Sequence, residues 1–145
     1  MVAGGAVAPE DRELRGLLGE ARTIAVVGLS SKPDRPSNDV SAYLQEHGFR
    51  IVPVNPNETE VLGERAYPSL LDIPADLPID VVDVFRRAED TPQVAADAVR
   101  IGAKVLWLQE GIVNEEAARI AADAGLEVIM GVCIKRTKQR LDREA

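Results

Sequence analysis

With 145 residues, 46% of them hydrophobic and 28% charged, the chain has the size and make-up of one globular domain and excludes fibrous, low-complexity and disordered classes. A net charge of −7 and only 3% aromatic residues weigh against partners that are nucleic acids or anionic membranes, since both demand a positive field. No apolar run approaches the roughly 18 residues of a membrane helix, the first eight residues lack the pattern of a signal peptide, and the single cysteine makes no internal disulfide, so a cytoplasmic setting is expected.

The elements follow in order. Pro9 to Glu20 carries Leu14, Leu17 and Leu18 at helical spacing, with Pro9 and Glu10 in a first turn. Thr23 to Val27 is a β-branched run closed by Gly28, the pattern of a strand buried on both faces. Asn38 to His47 is a second helix, capped by Ser37 or Asn38 and stopped by Gly48. Phe49 to Val54 is the second strand, and Pro53 within it places it toward a sheet edge or near its own end.

Glu60 to Ala66 reads as a short extension around Gly63, and Pro68 to Leu71 as a turn of helix. Val81 to Phe85 is a third strand, followed by a helix opened by Thr91 and Pro92 and ended by Gly102. Lys104 to Leu108 is a fourth strand, Asn114 caps another helix that Gly125 stops, and Leu126 to Met130 is a fifth strand. Lys135 to Ala145 is a charged terminal helix or tail. Strands alternating with helices imply right-handed crossovers. The expectation is therefore an α/β fold: a single Rossmann-like three-layer domain over 1–145, with a mostly parallel sheet of about five or six strands and frayed ends at 1–8 and 139–145.

Ligands of such sheets bind outside the carboxyl ends of the strands, so the residues following each strand are the candidates. After the first strand, Gly28, Ser30, Ser31 and Ser37 offer backbone amides and hydroxyls before a helix N-terminus, and Lys32 and Arg35 offset negative charge; a diphosphate suits this loop, as does a plain connection. The dinucleotide fingerprint is absent, because Ser30 and Pro33 stand where glycines belong. After the second strand comes Asn55, suited to a ribose or adenine edge or to an Asn-Pro turn, without the carboxylate that favours NAD. After the third come Phe85, Arg86 and Arg87, of which at most one arginine faces the crevice; after the fourth come Gln109, Glu110 and Gly111.

The stretches Ala25 to Ser37, Tyr43 to Gly48, Val52 to Pro56, Asp83 to Arg87 and Trp107 to Gly111, in this order and spacing, resemble the small stand-alone CoA-binding proteins, themselves similar to the N-terminal CoA-binding domain of the succinyl-CoA synthetase alpha chain. The resemblance runs from Arg22 to Cys133. It implies that coenzyme A is the cofactor, that Gly28, Ser30, Ser31 and Lys32 contact its phosphates, that Asn55 lies near the nucleotide, and that Phe85, Arg86, Gln109 and Gly111 line the path of the ligand. The family pattern after the last strand, an Asp-Arg-Cys stretch and a Glu-His pair, is replaced here by Gly131-Val132-Cys133 and Arg136-Thr137-Lys138.

No catalytic or metal-binding constellation emerges. The single histidine, His47, closes a helix where a cation favours the dipole, Cys133 reads as a small buried hydrophobe, and Asp80 and Asp83 flank a strand without a second catalytic group. The leading expectation is a CoA or acyl-CoA binding protein without catalytic machinery of its own. Two others stand beside it: an NAD(P)-linked oxidoreductase or sugar-nucleotide enzyme, and a regulatory or scaffold subunit with a vestigial crevice.

Overall fold

The computed structural model describes residues 6–144. Helix and strand alternate along the chain: α1 (Asp11–Glu20), β1 (Thr23–Val27), α2 (Pro36–Glu46), β2 (Arg50–Val54), β3 (Glu60–Val61), β4 (Glu64–Arg65), β5 (Val81–Val84), α3 (Thr91–Arg100), β6 (Val105–Leu108), α4 (Glu115–Asp123), β7 (Glu127–Met130) and α5 (Ile134–Arg143). Five strands form one all-parallel sheet in the order β2-β1-β5-β6-β7, and β3 and β4 form a separate antiparallel pair. This is the α/β Rossmann-like arrangement that the alternation of apolar runs implies.

Alternation along each strand divides the core into two layers. Ile24, Val26, Ile51, Val81, Trp107 and Ile129 pack with Leu14, Leu44 and Leu141 of α1, α2 and α5, whereas Ala25, Val52, Val82, Val84 and Leu106 pack with α3 and α4. On that second face Ala95, Ala98, Ala117 and Ala121 are fully buried, and their small side chains let α3 and α4 lie close together. Among the described residues no helix is long and apolar enough to cross a membrane.

Local chemistry sets most boundaries. Asn114 accepts a hydrogen bond from the Ala117 amide at 2.8 Å and so opens α4. β2 is one of the two edge strands, and Pro53 lies in register with Val26 there. Leu62 and Gly63 both take positive φ, 54° and 77°, which turns β3 into β4.

Four expectations are corrected. α1 begins at Asp11 and not at Pro9, because Glu10 keeps an extended backbone (φ −62°, ψ 156°) and serves as the cap. α2 begins at Pro36, where the fixed φ of proline fits a first helical position, so its cap is Arg35 in place of Ser37 or Asn38. The segment 139–143, expected to fray, is the second half of α5: Leu141 is buried and Arg140 pairs with Asp11 at 2.6 Å. At the other end Val7 exchanges two backbone hydrogen bonds with Met130, at 2.8 and 2.9 Å, so this part of 1–8 is held to β7; residues 1–5 and Ala145 lie outside the described residues.

Candidate functional site

The sheet order reverses between β1 and β5: the chain steps outward from β1 to β2 and then returns to β1's other side. In an open parallel sheet that reversal leaves a crevice at the carboxyl ends of the two strands. The ladder extends one residue past both strands here, with the Phe85 amide donating to Val27 O at 2.9 Å and the Gly28 amide to Val54 O at 2.8 Å. Gly28 has φ +89°, and a Cβ on it would run into the Phe85 carbonyl. Glycine is thus required at this position by the approach of two strand ends, independently of any phosphate.

Two cavities open on either side of this crossing. The larger, about 730 Å³, lies on the α2 and α5 side and is walled by Pro36, Val40, Phe85, Arg86, Gln109 and Cys133 among others. The smaller, about 350 Å³, lies toward α3, between Val27, Val54, Pro56, Ser69, Arg86 and Gln93. Arg86 lines both. Arg87 lines neither, and its side chain is 74% exposed. Both guanidinium groups reach Asp90 at 3.2 Å. The Arg87 hydrogen bond foremost, together with the charges of both arginines, holds the Asp90 carboxyl below its usual range.

The loop after β1 is braced from within. The Ser30 amide donates to Ser37 Oγ at 3.0 Å, the Lys32 amide to Ser30 Oγ at 3.1 Å, and Asn38 Nδ2 to Ser30 O at 2.9 Å. Asn55 donates from Nδ2 to Leu29 O at 3.0 Å and accepts from the Asn57 amide at 2.9 Å, which ties the ends of β1 and β2 together. The Ser31 amide donates outward, to the carboxylate oxygen Oε2 of Glu58 at 2.9 Å. Lys32 and Arg35 are exposed. Of the residues singled out from the sequence, Arg86, Phe85 and Gln109 come together on one cavity wall; Gly28, Ser30, Ser31, Lys32, Arg35, Ser37, Asn55 and Gly111 lie outside the linings of both cavities.

The remaining wall comes from the segment that departs from the family pattern. Gly131, with φ +81°, turns the chain after β7, Trp107 Nε1 donates to Val132 O at 2.9 Å, and the first turn of α5 then faces the larger cavity with Cys133, Lys135 and Arg136. Cys133, at the helix N-cap, packs against the core layer as a small hydrophobe but is only half-buried, because it also lines this cavity. Lys135 pairs with Asp39 of α2 at 2.8 Å and Arg136 with Glu110 at 2.7 Å, so α5 is clamped across the cavity mouth from two sides. His47 lies elsewhere, as the C-cap of α2, where its Nδ1 meets the Tyr43 carbonyl at 2.8 Å and its ring stacks on Tyr43.

Under this wall lies Asp83, the third residue of β5, with no exposed surface. Its Oδ1 accepts from Gln109 Nε2, and its Oδ2 has no partner. Burial pushes its carboxyl up to about 8, against the opposing hydrogen bonds from Gln109 and the Val84 amide. The sequence does carry a signal for this residue, an acid inside the otherwise apolar run Val81-Val-Asp-Val84, but the absence of a catalytic partner at a close spacing hides its meaning.

Residues 22–139 match the model of the CoA binding domain family. The chain is 47% identical over 127 residues to the uncharacterized protein YneT of Bacillus subtilis (strain 168), across 88% of this chain and 93% of that one. It is 34% identical over 100 residues to an ADP-forming acetate–CoA ligase II of Archaeoglobus fulgidus, a match to 68% of this chain but only 15% of the ligase. Among solved structures, a hypothetical protein from Pyrococcus horikoshii OT3 superposes with a TM-score of 0.89 at 41% identity, covering 97% of this chain and 96% of the other.

Proposed function

The chain belongs to the CoA-binding domain family, and from that premise we propose that it binds coenzyme A or an acyl-CoA at the carboxyl ends of β1, β5 and β6. The observation that carries the reading is the position of Arg86, whose side chain lines the cavities on both sides of the switch point. CoA has a matching shape: a nucleotide at one end, a long pantetheine arm at the other, and a diphosphate between them. A cation between two cavities suits that middle section. In this reading the Ser31 amide, once released from Glu58, and the nearby Lys32 and Arg35 serve the phosphates, with Gly28, Ser30 and Ser37 shaping the loop. Asn55 stands beside the nucleotide, and Phe85, Gln109 and Gly111 flank the arm.

We further propose that the protein holds its ligand without transforming it. The one histidine is engaged at the C-terminus of α2, and the cations of the larger cavity stand in pairs with carboxylates. Titration calorimetry with CoA, dephospho-CoA and NAD at low and high salt tests the assignment. CoA should bind most tightly and NAD most weakly, and the advantage of CoA over dephospho-CoA should shrink as salt rises, because part of it is attraction between exposed charges. NAD bound as tightly as CoA would overturn the reading.

A further inference from the structure

The ligand-binding reading leaves one costly feature of the site unused. Asp83 is fully buried with one carboxyl oxygen unpaired, an arrangement less stable than an apolar side chain of the same size would give. Strand alternation turns its side chain to the α2 and α5 face, the same face as Val81 and Phe85. There it holds Nε2 of Gln109, itself only 3% exposed and part of the larger cavity's wall. Gln109 Oε1 in turn accepts from the amide of Ile134, the first residue of α5, at 3.4 Å. Asp83 Oδ1 accepts from the carboxamide NH2, which leaves Gln109 Oε1 turned to the helix. Turned over, Gln109 would set its NH2 group against the Ile134 N–H, donor against donor.

We infer that Asp83 is a positioning residue of the binding site: through Gln109 it fixes the first turn of α5, and with it the wall of Cys133, Lys135 and Arg136 that faces the ligand. The inference rests on the CoA reading. The titratable and charged groups that share the cavity wall with Gln109 come from each element around it: Asp39 of α2, Arg86 after β5, Glu110 after β6, and Cys133, Lys135 and Arg136 at α5. Lys135 and Arg136 are paired with Asp39 and Glu110, and Arg86 with Asp90, so among the described residues no ion pair reaches Asp83. With its carboxyl raised to about 8 by burial, Asp83 is neutral at pH 7 and turns negative at higher pH, beneath a site for a polyanion.

Two variants separate positioning from packing. Asp83→Leu removes the acceptor while relieving the buried polar group, so it should fold and yet bind CoA roughly tenfold more weakly, the equivalent of one lost hydrogen bond. Asp83→Asn keeps an acceptor for Gln109 and should bind CoA like the wild type at pH 7. The wild-type dissociation constant should rise between pH 7 and pH 9 by more than that of Asp83→Asn; every other residue is common to both, so the difference belongs to Asp83. In ligand-free protein, amide exchange at Ile134 should quicken in Asp83→Leu and return to the wild-type rate in Asp83→Asn. Wild-type protein that takes up no CoA would overturn the binding reading. Wild-type uptake with an unchanged dissociation constant in Asp83→Leu, or parallel pH profiles for wild type and Asp83→Asn, would overturn the inference alone.

Discussion

The two ends of the central sheet treat the same side chain in opposite ways. At the amino end Asp80, just before β5, accepts from the amides of Arg22 and Thr23 at 2.8 and 3.0 Å and lies 3.5 Å from Lys104 Nζ. Partial burial raises its carboxyl, but the two amides and the ammonium outweigh that, and it ionises below its usual range. Three residues on, toward the carboxyl end, Asp83 has the Gln109 carboxamide and the Val84 amide as donors but no cation and no solvent, and burial makes it ionise far above that range. The amino end satisfies its charges and closes the fold. The carboxyl end keeps an unsatisfied acid, a glycine pressed against a carbonyl and cations paired with carboxylates, and stability is given up there, at the end where we propose that the ligand binds.

The contrast breaks most visibly in the pH dependence of stability. From about pH 4 to pH 8 the unfolded chain has lost the Asp83 proton while the folded protein keeps it, so the folded state binds more protons and its stability falls as pH rises, by up to about 1.4 kcal/mol per unit. Denaturant titrations of wild type and Asp83→Asn across this range should give curves that diverge steadily, with the variant flatter. Parallel curves would mean that Asp83 titrates like an exposed acid and that the two ends of the sheet do not differ.

Backbone strain offers a second, matched comparison. Gly28 at the carboxyl end and Gly125 at the amino end have nearly equal φ, +89° and +90°, but an added Cβ meets the Phe85 carbonyl at Gly28 and open space at Gly125. Gly125→Ala should cost about 1–2 kcal/mol for the left-handed backbone alone. Gly28→Ala should cost about 1–3 kcal/mol more, because the clash forces β1 and β5 to shift. Equal urea midpoints would show that the strand ends have room to part and that Gly28 is kept for another reason, such as approach of a phosphate.

Within the carboxyl end, Arg86 and Arg87 sharpen the site itself. Arg86→Ala should weaken CoA binding by about 1–3 kcal/mol, the range for a charge-assisted hydrogen bond. Arg87→Ala, at an exposed side chain outside both cavities, should change it by less than about 0.5 kcal/mol. Calorimetry showing the reverse would place the ligand on the outer face of the loop.

What the sequence made legible follows the same division. The parallel sheet and its helices could be read because β-branched runs, caps and stopping glycines act locally; Asn114 and Pro92 act through their own neighbours in the chain. The boundaries of α1 and α2 and the ordered second half of α5 were less legible, the last because Leu141 and Arg140 are held by α1, distant in sequence. At the site, residues following strands were easy to nominate, but their partners were not. Asn55 also bonds Leu29 O, and Gly28 also lies against the Phe85 carbonyl, partners that no local pattern announces. Asp83 and the first turn of α5 come together only through Gln109, across 26 and 25 residues of chain, and no spacing rule spans that.

The smallest expected effect tests the amino end on its own terms. Asp80→Asn keeps an oxygen to accept from the Arg22 and Thr23 amides but loses the charge that strengthens both bonds and draws Lys104, so it should destabilise by about 0.5–1 kcal/mol at pH 7. The sign of the pH dependence is the reverse of that at Asp83. With its folded-state ionisation depressed, Asp80 contributes its full stability above the ordinary carboxylate range, and that contribution is lost as pH falls through the lower folded value. Wild type and Asp80→Asn should therefore converge in stability as the solution is acidified below the ordinary carboxylate range, whereas Asp83→Asn and wild type should diverge as pH rises from about 4 to about 8. If Asp80→Asn were to match the wild type at neutral pH as well, water would be serving the two amides as well as the carboxylate does, and the amino end would owe its order to the apolar layer of Leu14, Leu18 and Ala21 in place of its charges.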